Sequence, residues 1–187
     1  MRVVSGDFGG RRLKAVPGVK TRPTTDKVKE SIFNMIGPYF DGGMSLDLFA
    51  GSGGLSIEAV SRGIDTAVLV DKQRQAIQTI EENVKVTKAD DQFKIIRQDA
   101  KIALNILADQ GKKFDLVFLD PPYKLQKITQ NMAKMVSLSL LNAGAILVCE
   151  TDQFAKLPET LPNFKLWKRQ DYGITEVSIY QFDEVGE

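Results

Sequence analysis

The feature that most constrains how this chain can fold is an alternation that begins at Met44. The apolar runs Met44 to Phe49, Thr66 to Val70, Phe93 to Arg97, Phe114 to Leu119 and Ala145 to Glu150 read as strands. Between them, Leu55 to Ser61, Gln73 to Val86, Ile102 to Ala108 and Lys127 to Leu138 read as helices. Parallel neighbours need a crossover, which is normally helical. The alternation therefore predicts an α/β fold with a mostly parallel, doubly wound sheet. Phe164 to Lys168 and Glu176 to Phe182 have no helix between them and turn at Tyr172-Gly173. They predict an antiparallel hairpin at the C-terminal edge.

The first 40 residues are different in kind. Val3-Val4, a Gly6 to Gly10 turn and Leu13 to Val16 predict a β-hairpin with Gly9-Gly10-Arg11-Arg12 at its tip. Thr24 or Thr25 then caps a helix that carries Val28, Ile32, Met35 and Ile36 on one stripe and stops at Gly37-Pro38. Residues 1–40 hold eight basic side chains against three acidic ones, +5, so the remainder carries −4 beneath a total of +1. A basic head on a mildly acidic body suggests contact with a polyanion. Arg11, Arg12, Lys14 and Arg22 are the candidates for phosphate contacts, and Thr24 and Glu30 are candidates to line a site entrance. The sequence thus divides into a basic extension, residues 1–40, and a larger α/β domain, residues 41–187.

Composition removes whole classes of chemistry. Histidine is absent, which excludes Ser-His and Cys-His catalysis and His-ligated metals. Cys149 is the single cysteine, so a disulfide framework and a structural zinc site are excluded, and no metal is expected. No apolar run approaches the ~20 residues that span a bilayer, and the N-terminus does not read as a secretory signal. A cytoplasmic location is the expectation.

Four of the predicted strands carry an aspartate at or beside their C-terminal ends: Asp47, Asp71, Asp99 and Asp120. Aspartate often serves turns and helix caps. Four in succession at the edge where open α/β sheets bind ligands point instead to a binding crevice. Gly51 and Gly53 follow Asp47 in Asp-Leu-Phe-Ala-Gly-Ser-Gly-Gly and let the backbone approach a ligand closely. The match to a dinucleotide fingerprint is imperfect, because Ser56 occupies its sixth position. An acid at Asp47 is awkward beside a pyrophosphate and well suited to a cationic ligand. That favours S-adenosylmethionine over NAD as cofactor. Asp71 suits a ribose diol, and Asp99 with the Ala100 backbone suits an adenine edge.

Asp120-Pro121-Pro122-Tyr123 is the sharpest signal. Two prolines remove two backbone donors and stiffen the turn. The Pro121 carbonyl and the Asp120 carboxylate are then two acceptors for one amine, and Tyr123 offers a face on which a base can stack. Such an arrangement fits N-methylation of an exocyclic base amine, with Asp120, Pro121 and Tyr123 as the catalytic residues.

At these residues the chain resembles the class I S-adenosylmethionine-dependent methyltransferases with Rossmann-like folds that act on nucleobase amines. Ser5-Gly6, Gly10-Arg11-Arg12-Leu13 and the stretch from Thr21-Arg22-Pro23-Thr24-Thr25-Asp26 to Phe33-Asn34 narrow the resemblance to the RsmD-type family of 16S ribosomal RNA guanine-N2 methyltransferases. The likeness spans nearly the whole chain. It implies methylation of one guanosine in the small ribosomal subunit or an assembly intermediate, an N-terminal hairpin that helps hold RNA, and S-adenosylmethionine bound by Asp47, Gly51, Gly53, Asp71, Asp99, Ala100 and Asp120. Asp-Pro-Pro-Tyr is shared with DNA adenine-N6 methyltransferases, which are the alternative reading. An NAD-linked oxidoreductase and a catalytically silent RNA-binding scaffold are further alternatives.

Overall fold

The computed structural model describes residues 1–18 and 24–184. They form two compact units, Met1–Ala100 and Lys101–Glu187. Arg22 lies outside the described residues.

In the first unit α1 (Asp26–Ile36) precedes a βαβαβ run: β1 (Met44–Asp47), α2 (Gly54–Ser61), β2 (Thr66–Asp71), α3 (Arg74–Thr87) and β3 (Phe93–Arg97). β2 pairs in parallel with both β1 and β3, with Asp47 opposite Leu69 and Asp71 opposite Arg97. Leu46, Val68, Leu69 and Val70 of the strands are buried, as are Ile57 and Val60 of α2 and Ile80 and Val84 of α3. The strands are therefore covered by helices at the positions where the alternation predicted them. Thr25 is the residue that caps α1, its hydroxyl accepting from the Val28 amide at 3.2 Å.

The predicted stripe of α1 is rotated in the structure. Its buried residues are Lys29, Ile32 and Phe33, whereas Val28, Met35 and Ile36 are only partly covered. A lysine can occupy a core position here because Glu58 of α2, itself fully buried, meets it at 3.2 Å. Burial holds the Lys29 ammonium below its ordinary pKa, and the attraction of Glu58 opposes that shift. Arg62, the residue that caps the C-terminal end of α2, completes the cluster at 2.8 Å from the other Glu58 oxygen and stacks on the Phe33 ring.

The same carboxylate reshapes the N-terminal arm. The predicted hairpin is short: the Val3 amide donates to Arg11 and the Leu13 amide to Met1, both at 2.9 Å, around a single Arg2–Arg12 bridge. Beyond it the pairing stops, because the Val4 and Ser5 amides turn to Glu58 (2.8 and 3.1 Å) and those of Asp7 and Phe8 turn to Ser61. Buried amides must find acceptors, and α2 supplies them in place of a second strand.

In the second unit α4 (Ala100–Asp109), whose first residue still belongs to the first unit, leads to β4 (Phe114–Leu119), α5 (Ile128–Ser137), β5 (Leu141–Asp152), β6 (Thr160–Leu161), β7 (Phe164–Asp171) and β8 (Thr175–Phe182). β4 and β5 are parallel, with Leu119 opposite Cys149. β8 runs antiparallel to β5 on one side and to β7 on the other, and β6 pairs with β7. The parallel strands followed by an antiparallel C-terminal edge are as predicted. β5 is longer than its predicted span because Leu141 pairs with Phe114 before an irregularity, after which Ile146 pairs with Leu116. β6 is two residues long and carries no periodic signal of its own.

No helix among the described residues is long and apolar enough to cross a membrane.

Candidate active site

In the first unit the segment after β1 folds back over the end of β2. The Ala50 amide donates to Val70 at 2.9 Å and the Gly51 amide to Asp71 Oδ2 at 3.0 Å. Asp71 Oδ1 accepts from Gln73 at 2.8 Å and its main-chain carbonyl from Gln98 at 3.1 Å. Asp71 thus ties together the glycine turn, the start of α3 and the residues after β3. Each of its carboxylate oxygens retains a second lone pair. Asp99 is exposed, its amide donates to Gln98 Oε1 at 2.9 Å, and it immediately precedes α4 at Ala100.

The two glycines serve different ends. Gly53 (φ +83°) starts α2, and a Cβ there would meet Leu69 at 3.1 Å and Ile80 at 3.5 Å, so its smallness is a packing requirement. Gly51 (φ +56°) would present a Cβ to open space, so its requirement is conformational and the backbone there stands open to a ligand. Asp47 is 2% exposed, and its Oδ1 accepts from the Phe49 amide at 3.1 Å, which places it beneath the turn as well as at the strand end. Open backbone at Gly51 therefore stands beside the Asp71 carboxylate, a charge that disfavours a pyrophosphate there.

Asn83 is a residue that sequence reasoning passed over. Its buried side-chain amide donates to the carbonyls of Ser52 (2.8 Å) and Lys14 (2.9 Å), and its Oδ1 accepts from the Lys14 amide (2.8 Å). One side chain therefore joins the N-terminal arm to the glycine turn. Its position on the Ile80/Val84 face of α3 was the available signal.

The basic candidates of the arm separate. Arg11 is committed within the unit: it donates to the carbonyls of Val86 (3.2 Å) and Thr87 (2.7 Å) at the end of α3 and lies over the Phe8 ring. A cation at that position complements the helix dipole. Arg12 is exposed. Lys14 makes an exposed 2.9 Å ion pair with Glu82, a kind of contact that is easily exchanged.

In the second unit Asp120 leaves β4 directly into the diproline turn. Pro121 is buried and Pro122 exposed. The Pro122 carbonyl is taken by the Leu125 amide at 3.0 Å, whereas no donor among the described residues is bonded to that of Pro121. Tyr123 is 43% exposed, so its ring is open to a stacking partner. Its hydroxyl lies 3.1 Å from Thr175 Oγ1, at the start of β8. Burial raises the Tyr123 pKa; the Thr175 bond opposes this, and the charges of Glu150, Asp120 and Asp152 add to it. The hydroxyl is neutral at physiological pH and able to donate. Thr175 and Glu150 also escaped sequence reasoning. Thr175 had no local signal. Glu150 had one, since it ends the fifth predicted strand as the aspartates end the others.

Residues 1–181 match the model of a family described as Conserved hypothetical protein 95. The chain belongs to this family. It is the RsmD-type family that the N-terminal motifs resemble. YlbH of Bacillus subtilis, provisionally an rRNA methyltransferase by name, is 49% identical over 97% of this chain and 98% of its own. Ribosomal RNA small subunit methyltransferase D of Haemophilus influenzae is 31% identical over 97% of this chain and 93% of its own. Among solved structures, yhhF of Escherichia coli, provisionally a methyltransferase, superposes with a TM-score of 0.81 at 30% identity, covering 98% of each chain. The fold is the Rossmann-like one of methyltransferases, and these relatives favour the ribosomal reading over DNA adenine methylation.

Proposed function

We propose that this protein transfers a methyl group from S-adenosylmethionine to the exocyclic N2 amine of a guanosine in 16S ribosomal RNA, within the small subunit or an assembly intermediate. The observation that carries the reading is the Asp120-Pro121-Pro122-Tyr123 turn, with one carbonyl that no donor among the described residues meets, one carboxylate and one half-open aromatic ring. Membership of a family whose named relatives are rRNA methyltransferases supports it.

Asp47, Gly51, Gly53, Asp71, Asp99, Ala100 and Asp120 would hold the cofactor, which supplies an electrophilic sulfonium methyl group when bound. The target base leaves its stack, because an amine inside a helix cannot reach a buried site. Tyr123 stacks on it. Asp120 and the Pro121 carbonyl accept from the N2 amine, fix its direction and raise its electron density. Asp120 or water would take the proton that the amine nitrogen sheds once methylated, the displaced thioether being the other product. Orientation and a preorganised polar site supply the acceleration. Residues 1–40 hold the RNA, with Arg12, Lys14 and Arg22 at phosphates; Arg11 contributes by fixing the arm. Residues 41–187 carry the transfer.

The test is radiolabelled methyl transfer to small subunits from a strain lacking the enzyme, with the product nucleoside identified by mass and naked DNA as the comparison. N2-methylguanosine is the expected product. Asp120→Ala is expected to lower the rate by at least about 100-fold, the scale of losing a preorganised polar group, with S-adenosylmethionine affinity measured alongside. Near-normal turnover in that variant, or methylated adenine in the product, overturns the proposal.

A further inference from the structure

We infer that Glu150 reads guanine, its carboxylate accepting from the N1–H that lies beside the N2 amine. The inference rests on the function proposed above and adds the group that selects the base. The Watson–Crick edge of guanine offers two adjacent donors, N1–H and the N2 amine. Adenine offers one donor amine beside a ring nitrogen that accepts. An ionised carboxylate only accepts, so it suits the first edge and repels the second. Asp120 and the Pro121 carbonyl account for the amine. A guanine-selective site needs a further acceptor next to them.

The second unit supplies it through its strand register. Leu119 and Cys149 are opposite each other on the parallel strands β4 and β5, so Asp120 and Glu150 are the next residues along. On the other side of β5, Glu150 is opposite Val177 and Asp152 opposite Thr175. Residues two apart on a strand, and their direct partners, share a face. Glu150, Asp152 and Thr175 therefore project on one side, and the Thr175 hydroxyl is the group bonded to Tyr123 at 3.1 Å. The charge of Glu150 acts on the Tyr123 hydroxyl, as do those of Asp120 and Asp152.

Burial separates Glu150 from its neighbours. It is 8% exposed, so a base that met it would be held out of bulk water, where a hydrogen bond discriminates most strongly. Asp152 is more open, and its Oδ1 takes the Phe154 amide at 2.9 Å, an ordinary turn contact. Glu176, on the opposite face of the β5/β8 pair, meets Arg169 at 3.3 Å. Glu150 alone of the three combines burial with adjacency to Asp120 and the Tyr123 turn.

The experiment compares RNA substrates carrying guanosine or 2-aminopurine at the target position. 2-Aminopurine keeps the exocyclic amine, replaces N1–H with an acceptor and lacks O6, so the change of the ratio in Glu150→Gln is what reports the N1–H contact. The wild-type protein is expected to prefer guanosine by about 100-fold or more in kcat/KM, the scale on which a site built for a hydrogen bond rejects an analogue lacking it. Glu150→Gln is expected to lower guanosine kcat/KM by about 10- to 100-fold, as loss of a charged hydrogen bond does, and to bring the ratio near unity without changing cofactor affinity. An unchanged ratio in Glu150→Gln, whatever its overall rate, overturns the role of Glu150, because a structural defect slows both substrates alike. A wild-type protein that uses both substrates equally overturns it with no variant needed. A wild-type protein that methylates neither overturns the proposed function itself, and this inference with it.

Discussion

The two ends of the chain trade the roles their sequences suggest. The N-terminal arm reads as a flexible basic tip, yet Glu58, Ser61 and Asn83 fasten its backbone, and Arg11 closes the end of α3. The C-terminal hairpin carries little diagnostic sequence, yet it presents Thr175 to the hydroxyl of Tyr123. A charged side chain is a poor guide to what touches RNA until its intramolecular partners are known. A plain threonine is invisible until register brings it to a functional group.

Breaking the fastening of the arm is expected to have the largest effect. Glu58→Gln leaves Lys29 and Arg62 as buried cations without their shared partner, so stability should fall by about 3–5 kcal/mol in urea denaturation, with residues 1–18 becoming sensitive to protease. An unchanged midpoint would mean that the arm is held mainly by its backbone bonds. The arginines sharpen the comparison further. Arg12→Ala and Lys14→Ala should each reduce the slope of log affinity for RNA against log salt by about one. Arg11→Ala should leave that slope alone and lower the melting temperature instead. The reverse result would make Arg11 the RNA contact and return Arg12 to solvent.

The smallest effect is expected at the other end. Thr175→Val should raise KM for RNA by about 3- to 10-fold, the scale of one hydrogen bond, and Thr175→Ser should restore it. The same change in a Tyr123→Phe background should do nothing; a persistent effect there would make Thr175 a packing residue. Absorbance titration of wild type against Tyr123→Phe should place the Tyr123 ionisation above that of ordinary tyrosine. Its folded pKa is raised, so the stability linked to its proton is complete below the ordinary tyrosine value and is lost as pH rises through the raised one.

Much of this architecture was legible beforehand because its causes are local. The strands β1 to β5 announce themselves as apolar runs, and their acids mark the ends. The diproline turn needs nothing beyond its own residues to remove the amide donors of Pro121 and Pro122. The rotation of α1 was not legible, since a lysine reads as solvent-facing wherever its partner is unseen. The truncated hairpin was lost for the same reason: its competing acceptors, Glu58 and Ser61, lie more than 50 residues away in sequence.

By itself, then, the sequence determined the order of strands and helices, the acids at the strand ends and the turn that offers an amine two acceptors, because periodicity and backbone restriction act over a few residues. Only the tertiary structure decided which charges are spent on the framework, that Asn83 joins the arm to the glycine turn, and that Glu150 stands beside Asp120. Those outcomes depend on strand register and on pairs of buried polar groups, which are fixed by contacts between residues far apart along the chain.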